Sequence, residues 1–121
     1  MEDLRLTGFR MSISGSRVFP DKAARSATSV EELAGLADAD AVARYHDQLG
    51  ALRDAGIEPL VTVNHYTLPL WIHDGAGCND DFGACTAKGW VDPATVGHIG
   101  RYAGFLGQEF GGEVDTWGTL N

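Results

Sequence analysis

The residues best suited to chemistry in this sequence gather where apolar runs stop. The stretch VTVNHYTLPLW (61–71) ends a β-branched run on Asn64, His65 and Tyr66. An earlier stretch, TGFRMSISGSRVFP (7–20), leads to Ser14, Ser16 and Arg17, and the last segment closes on Asn121. These residues combine hydrogen-bond donors and acceptors with an aromatic ring, and Trp71 follows closely. Such a set suits a hydroxyl-rich ligand, because hydroxyls need directional partners and sugar rings have apolar faces that pack on aromatics. The chain has 17 Asp and Glu residues, but none stands at these three ends. The set can hold a polar ligand, and it has no carboxylate for acid–base work.

Each of these residues also has a plainer reading. Arg10 taken alone reads as a structural ion pair. The alternative for His65 is a satisfied core histidine; its place between Asn64 and Tyr66 at a strand end favours ligand contact. His46 and His98 fall on the polar faces of helices and read as solvated, and His73 reads as a surface residue. Cys78 and Cys85 are too few for a disulfide framework and read as free surface thiols, a local bridge requiring an oxidising compartment. Only His73, Asp80 and Asp81 lie near them, which makes a tetrahedral metal site improbable, and no cofactor motif is present. Trp71, Trp90 and Trp117 read as packing residues, with Trp71 locking the loop behind His65.

The elements that must position these residues follow from periodicity. Phe9, Met11 and Ile13 alternate with Arg10, Ser12 and Ser14, the period of a strand that Pro20 ends. SVEELAGLA suggests a short helix with Ser29 as cap and Glu32 as its capping-box partner. Residues 38–56 form a helix with Val42, Tyr45, Leu49 and Leu52 on one stripe, Asp40 at its start and Gly56 past its end. Residues 57–65 are the next strand, apolar nearly throughout, as doubly covered strands are. Residues 74–89 are a glycine-rich loop. Residues 92–112 are a helix capped by Asp92 and opened by Pro93, with Val96, Ile99, Ala103, Leu106 and Phe110 as its stripe. Residues 113–121 are a third strand.

Long helical crossovers between strands imply parallel pairing and right-handed connections, hence a βαβαβ unit. That unit serves doubly wound sheets and (β/α)8 barrels alike. A dinucleotide-binding sheet wants G-x-G-x-x-G after its first strand, where this chain has SGSRVFP. A barrel takes about 250 residues, so 121 supply part of one.

Composition narrows the classes further. With 44% apolar and 21% charged residues the chain is an ordinary globular domain. A net charge of −8 disfavours nucleic acid and anionic membranes as partners. No apolar run approaches the roughly 20 residues that cross a bilayer. The opening MEDLRLTGFR lacks the pattern of a secretory signal, which suggests a cytoplasmic chain.

The segments GFRMSISGSRVFP, YHDQLGALRDAGIEPLVTVNHYTLPLWI, KGWVDPATVGHIGRYAGFLGQEFG and WGTLN follow one another in the order found in glycoside hydrolase family 1. The chain resembles that family over nearly its whole length. The resemblance implies a retaining β-glycosidase on a (β/α)8 barrel, with residues 1–121 as a single incomplete segment covering about strands 2–4. It implies a β-glycoside substrate and the rest of the barrel as a partner if made separately; no metal or other cofactor is expected from the residues themselves. By the same resemblance His65 contacts glycone hydroxyls and Asn121 contacts the hydroxyl beside the anomeric carbon. Arg10 faces the barrel interior and keeps the nucleophilic carboxylate charged. In the family TLN is followed by Glu-Pro, whose glutamate is the acid/base, and the nucleophile lies on a later strand; both catalytic carboxylates then fall outside these residues. Tyr66-Thr67 stand where the family usually has Trp-Asp, and Gly15 where it usually has Trp, so the subsite wall differs. The alternative is a non-catalytic sugar-binding or assembly piece that completes a barrel with another chain.

Overall fold

The alternation near the start of the chain folds into strand β1, Gly8–Ser12. The structure is a computed structural model that describes residues 5–121. The first four residues, part of the opening stretch read above for a signal, lie outside the described residues. β1 stops before Pro20 because the chain turns into one helical turn, α1 (Gly15–Val18), whose Arg17 and Val18 amides donate to the Ser14 carbonyl. A 3-10 segment (Lys22–Ser26) and a short helix α2 (Val30–Ala34) follow. The Ser29 hydroxyl accepts from the Glu32 amide as expected, while the Glu32 carboxylate reaches the Thr28 amide and hydroxyl instead of the Ser29 amide.

Helix α3 spans Ala39–Asp54, and its cap is Asp38, not Asp40. The Asp38 carboxylate accepts from the Ala41 amide at 2.8 Å, the third helical donor, which is the one a cap side chain reaches. Asp40 sits in the first turn, where its charge meets the positive end of the helix dipole. Gly56 follows the helix at φ +70°, a conformation glycine adopts without a Cβ clash. Tyr45, Leu49 and Leu52 are buried and Val42 is half-buried, the stripe expected.

Strand β2 is Glu58–Asn64 and β3 is Thr116–Leu120. The sheet order is β1-β2-β3 and both pairings are parallel. Between β2 and β3 lie α4 (Gly75–Asp80), a 3-10 turn (Gly89–Val91) and helix α5 (Ala94–Phe110). The loop predicted over 74–89 therefore contains a short helix, started by Asp74, whose carboxylate accepts from the Gly77 amide. Cys78 and Cys85 are bonded to each other, so the reading as free thiols is corrected. Helix α4 and the turn closed by Asp81, which accepts from the Gly83 and Ala84 amides, bring the two Cα atoms to 4.9 Å.

The predicted α5 stripe holds in part: Leu106 and Phe110 are buried and Ile99 and Ala103 half-buried, but the buried face is turned toward Thr95, His98 and Tyr102. Thr95, His98, Tyr102, Phe105, Leu106 and Phe110 face the core, while Val96 is 77% exposed. The polar members of that stripe are tolerated because each finds a partner. The Thr95 hydroxyl donates to the Gly89 carbonyl, Arg101 donates to His98 Nδ1, and the Tyr102 hydroxyl donates to the Ile13 carbonyl at 2.6 Å. His98 is thus buried rather than solvated. Burial first, then the Arg101 and Arg25 charges, lowers its pKa below the ordinary histidine value. The Asp92 carboxylate still supplies the expected cap bond, accepting from the Ala94 amide.

One apolar cluster joins α3 and α5 to β2. It contains Tyr45, Leu49, Leu106, Phe110 and Val61, with Met11, Val63 and Trp117 packed against it. Positions 61 and 63 lie on one face of β2, so both crossover helices cover the same side of the sheet. Full burial of a side chain such as Phe110 or Leu49 contributes about 1.5–3 kcal/mol. Trp71 is buried with its indole N–H donating to the Phe19 carbonyl, as a locking residue should be; Trp117 is half-buried, and Trp90 is exposed, against expectation. His73 is exposed, as read from the sequence.

His46 is also corrected. It is half-buried between α3 and the end of α5, with Nε2 on Glu109 (3.0 Å) and Nδ1 on Glu113. Two carboxylates on two ring nitrogens select the imidazolium. The Glu109 contact, with Glu113 assisting, raises the His46 pKa above its usual value against partial desolvation.

Two outcomes are expected. The stability added by His46 is complete below the ordinary histidine pKa and is lost as pH rises through the raised one. The melting-temperature gap between wild type and His46→Gln should therefore be widest in mild acid and close in alkali; a gap that widens with pH contradicts the ion pair. Reducing the Cys78–Cys85 bond, which closes a short loop, should lower stability by about 2–3 kcal/mol in urea titrations with and without dithiothreitol.

Candidate functional site

On the face of the sheet away from the helices, parallel register sets polar side chains in a row. Arg10 pairs with Leu60, Ser12 with Thr62, and Thr62 with Gly118. The Arg10 guanidinium donates from Nε to the Thr62 hydroxyl at 2.9 Å. Its Nη2 donates to Asn121 Oδ1, also at 2.9 Å. The Asn121 amide nitrogen lies 3.2 Å from His65 Nε2. The His65 ring in turn lies against Tyr66, with centroids 4.5 Å apart. Arg10, Asn121, His65 and Tyr66 are thus one connected row, in which the Arg10 guanidinium reaches from the middle of β1 to residues just past the ends of β2 and β3.

The backbone explains the convergence. The Asn121 amide donates to the Asn64 carbonyl at 3.2 Å, carrying the β2–β3 ladder one residue past β3 and setting Asn121 beside His65. Asn64 is buried, and its side-chain amide donates to the Thr67 carbonyl, which turns the chain sharply after His65. Two tyrosines hold the chain where it leaves β1. The Tyr45 hydroxyl accepts from the Ser14 amide, and Tyr102 donates to the Ile13 carbonyl. Burial of Tyr102 pushes its phenol pKa far above the usual value, so it stays a donor across the working pH range.

Thr62 escaped the sequence reading. It is 0% exposed and anchors Arg10, and its signal was a hydroxyl inside an otherwise apolar run, two residues from Asn64. Gly118 goes with it: a Cβ there would stand 3.3 Å from the Thr62 hydroxyl oxygen. Ser14, Ser16 and Arg17 do not join the row. Ser14 contributes its backbone, and Ser16 and Arg17 line another groove with Asp38, Asp40 and Arg44.

Donor and acceptor roles propagate along the row. A guanidinium only donates, so it fixes Asn121 with Oδ1 toward Arg10 and the amide N–H toward His65. His65 Nε2 must then accept, which places the ring proton on Nδ1. Among the described residues Arg10 forms no ion pair, in contrast to the plainer reading of it, and its hydrogen-bond partners Thr62 and Asn121 are neutral. The site is a fixed cation with neutral hydrogen-bonding groups beside it, open on one side. It can accept hydroxyls and can hold a carboxylate ionised. Among the described residues no group of three or more His, Cys, Asp or Glu is arranged to hold a metal. No described helix is long and apolar enough to cross a membrane.

Residues 1–121 as a whole match the sequence pattern described as glycosyl hydrolase family 1. The chain is 31% identical to a β-galactosidase from Pyrococcus woesei, covering 98% of this chain and 27% of that protein. It superimposes on Fpglu1 from Fervidobacterium pennivoraus with a TM-score of 0.89 at 31% identity, covering 99% of this chain and 26% of that one. A rice Os3BGlu6 β-glucosidase mutant in a covalent complex with Glc gives a TM-score of 0.75 at 29% identity, with 100% of this chain and 21% of that one covered. The chain spans about a quarter of the length of these relatives.

The row makes a prediction independent of any ligand. Asn121→Asp presents oxygens to both neighbours, so His65 must become a donor at Nε2. Two-bond 1H–15N spectra should show the ring proton moving from Nδ1 to Nε2, and an unchanged tautomer would refute the order of donors proposed along the row.

Proposed function

The chain belongs to glycosyl hydrolase family 1, and from that membership we propose that it forms about strands 2–4 of a (β/α)8 barrel in a β-glycosidase acting on terminal β-linked sugars. Both crossover helices lie on one side of a parallel sheet in sequential order, which is consistent with a stretch of barrel wall, and the glycine motif that a dinucleotide-binding sheet would need after its first strand is absent. The observation that carries the functional reading is the Arg10–Asn121–His65 row, with Asn121 and His65 just past the carboxyl ends of β3 and β2 and the guanidinium of Arg10 reaching toward them from β1.

The reaction class is double displacement with retention. One carboxylate attacks the anomeric carbon, and a second carboxyl group protonates the departing oxygen; water then releases the sugar with the second group acting as base. This chain supplies the glycone side of that site. Arg10 holds the nucleophile ionised, since a cation within a few ångströms favours the charged carboxylate. Asn121 meets the hydroxyl beside the anomeric carbon, where contact strengthens as the ring flattens. His65 and Tyr66 contact the remaining hydroxyls and ring. On this reading the two carboxyl groups are not among the residues of the row, whose hydrogen-bonding members are Arg10, Thr62, Asn121 and His65. A cytoplasmic location goes with this reading only where thiols are allowed to pair, as in some hyperthermophiles.

A purified protein containing the whole barrel should hydrolyse aryl β-glycosides with retention, seen as the β-anomer appearing first by NMR. Asn121→Ala should cut kcat/KM by about a hundredfold or more. The 121-residue chain alone should not turn over such substrates. Turnover by that chain, abolished by His65→Ala, would show that the reacting carboxylates lie within it, and saturable sugar binding by a closed oligomer without turnover would favour the assembly reading.

A further inference from the structure

Tyr66 carries a backbone conformation that its type does not favour. Its φ is +67°, and Tyr66 and Arg5 are the described residues other than glycine with positive φ. The Thr67 amide donates to the His65 carbonyl at 2.9 Å, so Tyr66 sits at the centre of a γ-turn. The positive-φ γ-turn is the rare and strained form. Glycine, and to a lesser degree Asn, occupy such positions readily; an aromatic residue does so at a cost.

Among the described residues the ring packs on nothing but a neighbouring side chain: Tyr66 is 83% exposed, and the aromatic contact it makes is the His65 ring. The turn itself has a clear cause. The buried Asn64 clamps the Thr67 carbonyl, and the chain must reverse between Asn64 and the buried Pro69. The reversal requires the left-handed residue; it does not require a ring. A residue that is conformationally costly, buries little, and touches one functional side chain fits a role exerted through that side chain.

Beyond the sugar contact proposed for it above, the geometry points to Tyr66 as a positioning residue: the strained turn holds its ring against His65, fixing the imidazole so that Nε2 meets Asn121. This rests on the reading of His65 as a sugar contact, and it adds that conformational stability is surrendered to hold that histidine still.

The test separates ring from backbone. Tyr66→Asn and Tyr66→Gly relieve the strain and remove the ring, whereas Tyr66→Phe keeps both ring and strain. Both relieving variants should melt higher, by about 3–6 °C for Asn and less for Gly, whose unfolded chain gains freedom. In both, His65 should lose its single Nδ1–H tautomer and show exchange-averaged 15N shifts, while Phe reproduces wild type in melting temperature and spectrum. In the complete protein the relieving variants should bind a β-glycoside about fivefold more weakly. Lower melting temperatures in both relieving variants, or an unaltered His65 tautomer, would overturn the inference. If wild type binds no β-glycoside while melting and tautomer respond as stated, the sugar reading falls and the positioning of His65 by Tyr66 stands.

Discussion

A guanidinium cannot accept a hydrogen bond, and the candidate site is organised by that fact. Arg10 emerges from an exposed strand with Thr62 and Asn121 as its hydrogen-bond partners. Because it can only donate, the Asn121 amide has one permitted orientation, and because of that orientation His65 has one permitted tautomer. Three side chains from three strands are ordered by the chemistry of one. The energy of each bond is modest, about 1 kcal/mol for neutral pairs and more where a charge is involved. What the row supplies is direction: the donors have settled positions before anything binds, and a group that met them would need little further ordering.

That row exists only if three strand ends stay level, and the apolar cluster on the opposite face keeps them so. Val61 and Val63 present one face of β2 to Leu49, Leu106 and Phe110, while Thr62 and Asn64 alternate to the other. Parallel register then fixes which residues meet. Two tyrosines brought by α3 and α5 grip the Ile13 and Ser14 backbone just past β1. The helices therefore contribute to the site at a distance, through carbonyl and amide groups rather than through ligand contacts. A cavity-forming change at Phe110 or Leu49 would cost several kcal/mol by itself, and would also tilt the strand ends against each other.

Much of this was legible from residue order. Strict alternation placed Arg10 opposite Phe9 and Met11, and the polar finish of VTVNH placed His65 and Asn64 at a strand end. The βαβαβ order followed from two long helical periods. Side-chain partners were less legible, because they depend on which elements meet. α5 carries two overlapping apolar stripes, and the one containing His98 and Tyr102 won because Arg101 and the Ile13 carbonyl satisfy their polar atoms. His46 looked solvated until the Glu109 and Glu113 side chains were brought against it from the end of α5. Cys78 and Cys85 looked independent because α4, a helix six residues long rich in glycine, has almost no periodic signal. Thr62 was hidden by its own context, since a threonine in a β-branched run reads as strand propensity.

The long connection from β2 to α5 is built separately from the polar row beside it. Arg25 donates to the Trp71 and Thr86 carbonyls and lies 3.6 Å from Asp92, so one side chain gathers both ends of the excursion. Between those ends the chain is held by its own turns and by the Cys78–Cys85 bond, with no buried residue in α4. At its start the excursion is anchored by Trp71, whose indole N–H donates to the Phe19 carbonyl. The contacts at His65 are separate from these anchors: Asn121 lies beside its ring, and Asn64 holds the Thr67 carbonyl just after it. A loop tethered at its base in this way can change length or composition while the residues of the polar row keep their geometry. The polar row and the excursion beside it thus answer to different constraints within one connection: one is fixed by register and hydrogen-bond direction, the other by a local covalent clasp.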